Sequence, residues 1–168
     1  MKSIVRYSIV WMVALLLSMN ASAQTITPKG EWIKPSNEGI QYVGRISFKN
    51  PDSPAFTYPG TQIIACFEGT SLKMIAKPMS GYFMAQIDKA EPFKVGFNAP
   101  ADSIVTLAAA LPDGLHEVRL MYIIEGYERK PEFRGFLLDE GKPLADAPAL
   151  HGRKIEFIGN SITCGYGI

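Results

Sequence analysis

The sequence predicts an all-β fold, most simply a jelly-roll antiparallel β-sandwich, and three observations support that expectation. From Gln41 to Asp139, short runs alternate apolar and polar residues; turn chemistry breaks the runs at close intervals; and no segment holds a helical period over about eleven residues. The run Ala108-Ala109-Ala110 invites a helix, but Pro112 and Gly114 close it too early.

The candidate strands follow in chain order. They are Tyr42–Phe48, Thr61–Phe67, Ser71–Ala76, Tyr82–Asp88, Phe93–Phe97, Ser103–Ala109, His116–Ile124 and Phe133–Leu138. Two of them show the strand period plainly. His116–Ile124 sets Val118, Leu120, Tyr122 and Ile124 against Glu117, Arg119 and Met121, and Tyr82–Asp88 sets Phe83, Ala85 and Ile87 against Tyr82, Met84 and Gln86. Pro59-Gly60, Glu68-Gly69, Ser80-Gly81 and Asp113-Gly114 supply the turns between them. Pro51, Pro54, Pro78 and Pro92 suit edge or turn positions, where a missing N–H costs no ladder bond. Eight short strands at this spacing make a two-sheet sandwich. Gly141-Lys142-Pro143 and Asp146-Ala147-Pro148 then read as a linker pinned by Leu144, with a domain boundary near residue 150.

The N-terminus reads as a secretory signal. Lys2 and Arg6 form a basic n-region, Ile9–Leu17 an apolar h-region, and Ala21-Ser22-Ala23 a cleavage site that removes residues 1–23. The apolar stretch is short for a transmembrane helix and has no stop-transfer flank. The expected location is therefore secreted or periplasmic. Cleavage takes two of 17 basic residues and none of 16 acidic ones, so the mature chain carries a net charge of −1. That balance gives no electrostatic footprint for nucleic acid or an anionic membrane. With 47% hydrophobic and 20% charged residues, the composition is that of an ordinary globular domain.

Cys66 and Cys164 are expected as buried free thiols, since a bridge would need their Cα atoms within about 7 Å. Two scattered histidines, two distant cysteines and no Asp-x-Asp loop give no metal site, and no cofactor is expected.

The chemistry lies at the C-terminus. Ile155, Phe157 and Ile158 read as a buried strand, and Gly159-Asn160-Ser161 as the sharp turn at its tip. Such a turn holds a serine hydroxyl at the rim of a sheet, where α/β hydrolytic enzymes keep their nucleophile.

The order of motifs resembles carbohydrate esterase family 2. The resemblance lies in Phe56-Thr57-Tyr58-Pro59-Gly60-Thr61, Phe67-Glu68-Gly69-Thr70-Ser71-Leu72, Gly114-Leu115-His116 and Phe133-Arg134-Gly135-Phe136, and above all in Ile155–Gly167. It implies a jelly roll over residues 24–150, followed over 151–168 by the first strand and nucleophile turn of an SGNH-type (GDSL-like) hydrolase domain, truncated here. It also implies a serine esterase that removes O-acetyl groups from plant cell-wall polysaccharides such as xylan and glucomannan, with an acetylated polysaccharide or oligosaccharide as partner. Ser161 would be the nucleophile, and its backbone N–H one oxyanion donor. Gly159 lets the chain turn tightly. Asn160 stands where the family usually has aspartate, keeping one acceptor oxygen but losing the charge.

The resemblance also implies three groups that this sequence does not match: a glycine and an asparagine as second and third oxyanion donors, and a catalytic histidine. His116 opens a sandwich strand and is expected to be structural. His151 lies ten residues before Ser161 along the same strand direction, roughly 20 Å or more away at about 3.3 Å per residue. General-base catalysis needs contact at about 3 Å, so neither serves, and the isolated chain is expected to be inactive.

A competing expectation is a non-catalytic carbohydrate-binding or scaffold sandwich. Tyr58, Tyr82, Phe83, Phe97, Tyr122 and Tyr127 could furnish a sugar-stacking surface, although most alternate with apolar neighbours and read as core. Trp32, ahead of the sandwich proper, reads as a surface aromatic, and Glu125–Lys130 as a solvated loop.

Overall fold

In the computed structural model, residues 30–125, 127–149 and 158–160 are described. The signal segment 1–23, His151, Ser161, Cys164 and most of the expected strand Lys154–Ile158 lie outside them.

Ten strands form two antiparallel sheets. In chain order they are β1 (Glu31–Ile33), β2 (Ile40–Val43), β3 (Gln62–Gly69), β4 (Leu72–Ala76), β5 (Gly81–Ile87), β6 (Phe93–Phe97), β7 (Ile104–Ala108), β8 (Gly114–Tyr122), β9 (Phe133–Leu138) and β10 (Leu144–Ala145). One sheet runs β1-β9-β4-β7, the other β3-β8-β5-β6, with β10 and β2 both on the outer edge of β3. Those two interleaved orders are the jelly roll.

The first jelly-roll strand is not the one expected. Glu31–Ile33 takes that place, pairing with β9 from Glu31↔Leu138 to Ile33↔Phe136. Trp32 is therefore within the sandwich rather than ahead of it, and it is 50% exposed on the edge strand. Its Nε1–H donates to the Arg134 carbonyl at 3.0 Å. The expected strand Tyr42–Phe48 ends at Val43, because Gly44 takes a φ of +109° and turns the chain away. What remains of it, β2, only extends the edge of β3. The expected linker also belongs to the sandwich: Leu144 and Ala145 pair with Phe67 and Cys66.

The alternation read from the sequence becomes the core. Val118, Leu120 and Tyr122 of β8 face Phe83, Ala85 and Ile87 of β5 across a fixed register, and all six are buried. Phe133, Phe136 and Leu138 of β9 close the interior from the other sheet with Leu72 and Met74 of β4. Gly135 is there for close approach: an added Cβ would sit 2.1 Å from the Ile33 carbonyl oxygen. Cys66, on the outward parity of β3, is a partly exposed free thiol rather than a buried one. Ile158 reads as part of a strand whose burial needs parallel neighbours and covering helices; without them among the described residues it is 91% exposed and belongs to no strand.

Two polar contacts lock this packing. The Tyr122 hydroxyl, fully buried, donates to the Ser80 carbonyl at 3.0 Å. Asp139, just past β9, accepts from the Thr70 backbone N–H at 2.6 Å, the Ser71 N–H at 3.1 Å, the Thr70 hydroxyl at 3.0 Å and the Ser71 hydroxyl, so it closes the β3–β4 turn. The Ser71 hydroxyl and Thr70 amide hold its carboxyl down at about 2.

Asp139→Asn should lower stability by about 1–2 kcal/mol at neutral pH, a figure reduced for solvent screening. The native carboxyl titrates below its ordinary 3.8, so its contribution is complete above that value and disappears as pH falls through about 2. Urea unfolding across pH 2–7 should show the difference between mutant and wild type shrinking over that window. Tyr122→Phe should cost about 1–2 kcal/mol in the same assay, because the Ser80 carbonyl is left buried without its donor.

Candidate functional site

Tyr122 ends β8 and fixes the segments on either side of it. Its ring lies 5.3 Å from Phe56 and 5.1 Å from Phe83, centroid to centroid. The Gly60 N–H donates to the Tyr122 carbonyl at 2.8 Å, and the Tyr122 N–H to the Thr61 carbonyl at 2.9 Å. The approach to β3 (Thr57–Gly60) and the departure from β8 (Glu125 and Tyr127) are thus brought to one rim of the sandwich.

A cavity of about 580 Å³ opens there. Thr57, Tyr58 and Pro59 form one wall and Glu125 and Tyr127 another. Gly159 and Asn160, both exposed, complete the lining. Two of the three residues predicted for the nucleophile turn therefore lie against the sandwich rim; Ser161 follows Asn160 in the chain, outside the described residues.

The aromatic candidates separate into two groups. Phe83, Phe97 and Tyr122 are core, as their strand parity required. Tyr82 is half-buried on the outward parity of β5, under the Lys94 ammonium at 4.7 Å. Tyr58 is 53% and Tyr127 84% exposed, and both line the cavity. The Arg45 guanidinium lies 5.3 Å from the Tyr58 ring centroid. Sequence reasoning missed Thr57 and Pro59 as site residues and assigned Glu125 to a plain solvated loop. The available signal was a tyrosine beside each of two glycine turns, Pro59-Gly60 and Glu125-Gly126, away from any alternating run.

Comparison with known proteins gives this geometry its setting. Residues 42–148 match the family model described as "Carbohydrate esterase 2 N-terminal". The chain belongs to this family. Among curated proteins, the Cellulase/esterase CelE of Acetivibrio thermocellus is 39% identical over 134 residues, covering 78% of this chain and 16% of that protein. The Acetylxylan esterase / glucomannan deacetylase of Cellvibrio japonicus is 29% identical over 157 residues, 93% of this chain and 42% of that protein. This chain therefore spans less than half the length of either relative. A family two carbohydrate esterase from Clostridium thermocellum, solved in complex with cellohexaose, superposes with a TM-score of 0.64 at 35% identity, over 77% of this chain and 39% of that one.

In this carbohydrate esterase 2 N-terminal domain, His116 has a structural environment. Its Nδ1 lies 2.9 Å from Asp88 Oδ2 and its Nε2 2.8 Å from the Pro112 carbonyl oxygen. A carboxylate and a carbonyl both only accept, so the ring satisfies both as the imidazolium. The bonds it donates to Asp88 and Pro112 accordingly raise its pKa above the ordinary 6.5. The same Asp88 accepts from the Glu117 N–H at 2.9 Å, which ties the β5–β6 turn to β8. His116 and Tyr122 lie six residues apart on β8, so the imidazole sits about 20 Å along the strand from the cavity end of the sheet.

A pKa raised on folding stabilises below the unfolded value and loses that contribution as pH rises through the folded value. Thermal unfolding of the wild type should therefore show a midpoint that declines as pH rises from 6.5 through the raised pKa. His116→Gln should be flat across that window; an equally sloped profile would mean that the imidazole stays neutral.

Proposed function

We infer that this chain carries the N-terminal sandwich and the nucleophile of a secreted carbohydrate O-deacetylase, which cleaves acetyl esters from plant cell-wall polysaccharides such as xylan or glucomannan. The observation that carries this reading is the position of Gly159 and Asn160 on the wall of a rim cavity, in a chain of the carbohydrate esterase 2 N-terminal family. Residues 24–150 are the sandwich, and 151–168 open an SGNH-type hydrolase domain. Residues 1–23 direct export and are removed after Ala23. The names of the Cellvibrio japonicus and Acetivibrio thermocellus relatives support the activity, and an acetylated polysaccharide or oligosaccharide is the substrate class.

In this reading the Ser161 hydroxyl oxygen attacks the acetyl carbonyl carbon, passing its proton to a base, and the negative charge that builds on the carbonyl oxygen is met by the Ser161 N–H. The sugar oxygen leaves with the proton, and water releases acetate from the acetyl-serine. In this reading neither His116, engaged at the other end of β8, nor His151, ten residues ahead of Ser161 in the sequence, is that base.

A chimera tests this. Residues 24–168, placed in the Cellvibrio japonicus enzyme in exchange for its matching region, should release acetate from acetylated xylan or glucomannan. Ser161→Ala in that chimera should lower turnover by at least about 10³-fold. The 168-residue chain alone should show no Ser161-dependent turnover of p-nitrophenyl acetate. A folded chimera inert on both polymers would sink the deacetylase reading.

A further inference from the structure

The outward face of the four-stranded sheet gathers positive charge around one aromatic ring. Register places Trp32, Leu137, Lys73 and Thr106 in a row across β1, β9, β4 and β7, with Gly135, Ile75 and Ile104 in the next row. Lys34 just past β1, Lys77 just past β4, and Glu132 and Arg134 at the head of β9 continue the same parity. Four cations therefore share this face with one carboxylate, in a chain that overall balances 17 basic against 16 acidic residues. Glu31, beside Trp32, stands on the opposite parity of β1. Glu132 is divided between two partners, 3.6 Å from Lys77 Nζ and 3.3 Å from an Arg134 guanidinium nitrogen. Lys73 has no hydrogen-bond or ionic partner among the described residues. The Lys34 ammonium lies 5.8 Å from the Trp32 ring centroid. The indole itself is held: its Nε1–H donates to the Arg134 carbonyl at 3.0 Å, and a Cβ added at Gly135 would sit 3.0 Å from Nε1. A half-exposed ring held beside unneutralised ammonium groups suits a ligand that carries both an apolar ring face and a negative charge. A pyranose bearing a carboxylate has both, since its C–H groups line one face and its acid is ionised at neutral pH. Single-stranded nucleic acid fits less well, because it stacks on successive rings and Trp32 is the one aromatic side chain at these outward positions.

We propose that this sheet face binds an acidic glycan, with Trp32 stacking on a pyranose ring and Lys34 and Lys73 pairing with the carboxylate of a uronic acid unit. The choice of a glycan over another polyanion rests on the deacetylase reading; the ring and the charges stand without it. The face adjoins the rim without being part of it. Ala55 bridges Glu132, and the Phe56 N–H donates to the Pro131 carbonyl at 3.3 Å, one residue before Thr57 on the cavity wall. From Leu137 to Glu132 the face runs roughly 15 Å along the chain. A polymer held here by a charged branch is thus kept beside the rim while the cavity stays open.

Isothermal titration calorimetry of the 168-residue chain tests the proposal by comparing a xylo-oligosaccharide that carries a glucuronic acid branch with neutral xylohexaose. Saturable binding of the acidic ligand is expected, about tenfold or more tighter than xylohexaose, and about threefold weaker when NaCl rises from about 20 to about 200 mM. Trp32→Ala should weaken the acidic ligand about tenfold. Lys34→Gln with Lys73→Gln should bring it to the level of xylohexaose, and Lys34→Arg with Lys73→Arg should keep the preference. Neither lysine is buried, so the lysine variants decide the matter should Trp32→Ala unfold. Tyr58→Ala, at the rim, should leave the preference for the acidic ligand unchanged. Equal affinity for the two saccharides overturns the proposal, as does an acidic preference that survives the double glutamine replacement. Tighter binding of a single-stranded oligodeoxythymidylate than of the acidic saccharide overturns it too, in favour of a nucleic-acid surface. Acid-selective binding beside a chimera that releases no acetate would end the deacetylase reading and leave the sheet face standing; an active chimera without that selectivity would do the reverse.

Discussion

Tyr122 joins the interior of the sandwich to the rim on which the cavity sits. Its ring closes a cluster with Phe56 and Phe83, its hydroxyl satisfies the Ser80 carbonyl, and its backbone holds Gly60 and Thr61 on one side. A buried tyrosine needs a partner for its hydroxyl, and here that need sets the turn before β5 against the end of β8. Thr57 and Tyr58 follow Phe56 directly, and Glu125 and Tyr127 leave from the same strand end. The placement of the cavity walls is thus a product of core packing, while their tips stay free to meet solvent or ligand. Loops held in this way by a rigid scaffold are where binding residues commonly sit.

The opposite end of the same sheet serves a different purpose. His116 reaches Asp88 and Pro112, and Asp139 gathers the β3–β4 turn, so two charged side chains there spend their hydrogen bonds on loop closure. A histidine and two aspartates in one domain could suggest hydrolytic chemistry. Their partners show them instead as tethers, each answering to backbone groups that the strands leave unpaired. The cavity end and the closing end are separated by the length of β8.

The alternation in β5 and β8 was legible because strand parity decides which side chain is buried, and Phe83, Leu120 and Tyr122 obey it. The two shortest strands were not legible. Glu31-Trp32-Ile33 buries one residue, and Leu144-Ala145 follows a proline, so neither shows a period that could be counted. The run after Ile40 was read too long because its apolar residues continue past Gly44, and the positive φ that ends the strand leaves no mark on hydropathy. Gly159 and Asn160 were named from motif order, as the turn after an apolar run, and both line the cavity. Tyr58 and Tyr127 were named among six aromatics but not separated from the core rings: both sit in turns, where no parity exists to say which way a ring faces.

One edge of β3 carries two partners end to end. β2 covers Gln62 to Ala65 and β10 covers Cys66 and Phe67, with Gly39 packed close to Ala145. The polypeptide thus passes into the six-stranded sheet and out of it at neighbouring points. With β2 and β10 on one edge strand, the chain ahead of β3 and the chain after β9 are latched together, and neither can loosen without baring that edge. Such a latch suits a chain that matches only 16% of the length of one of its relatives.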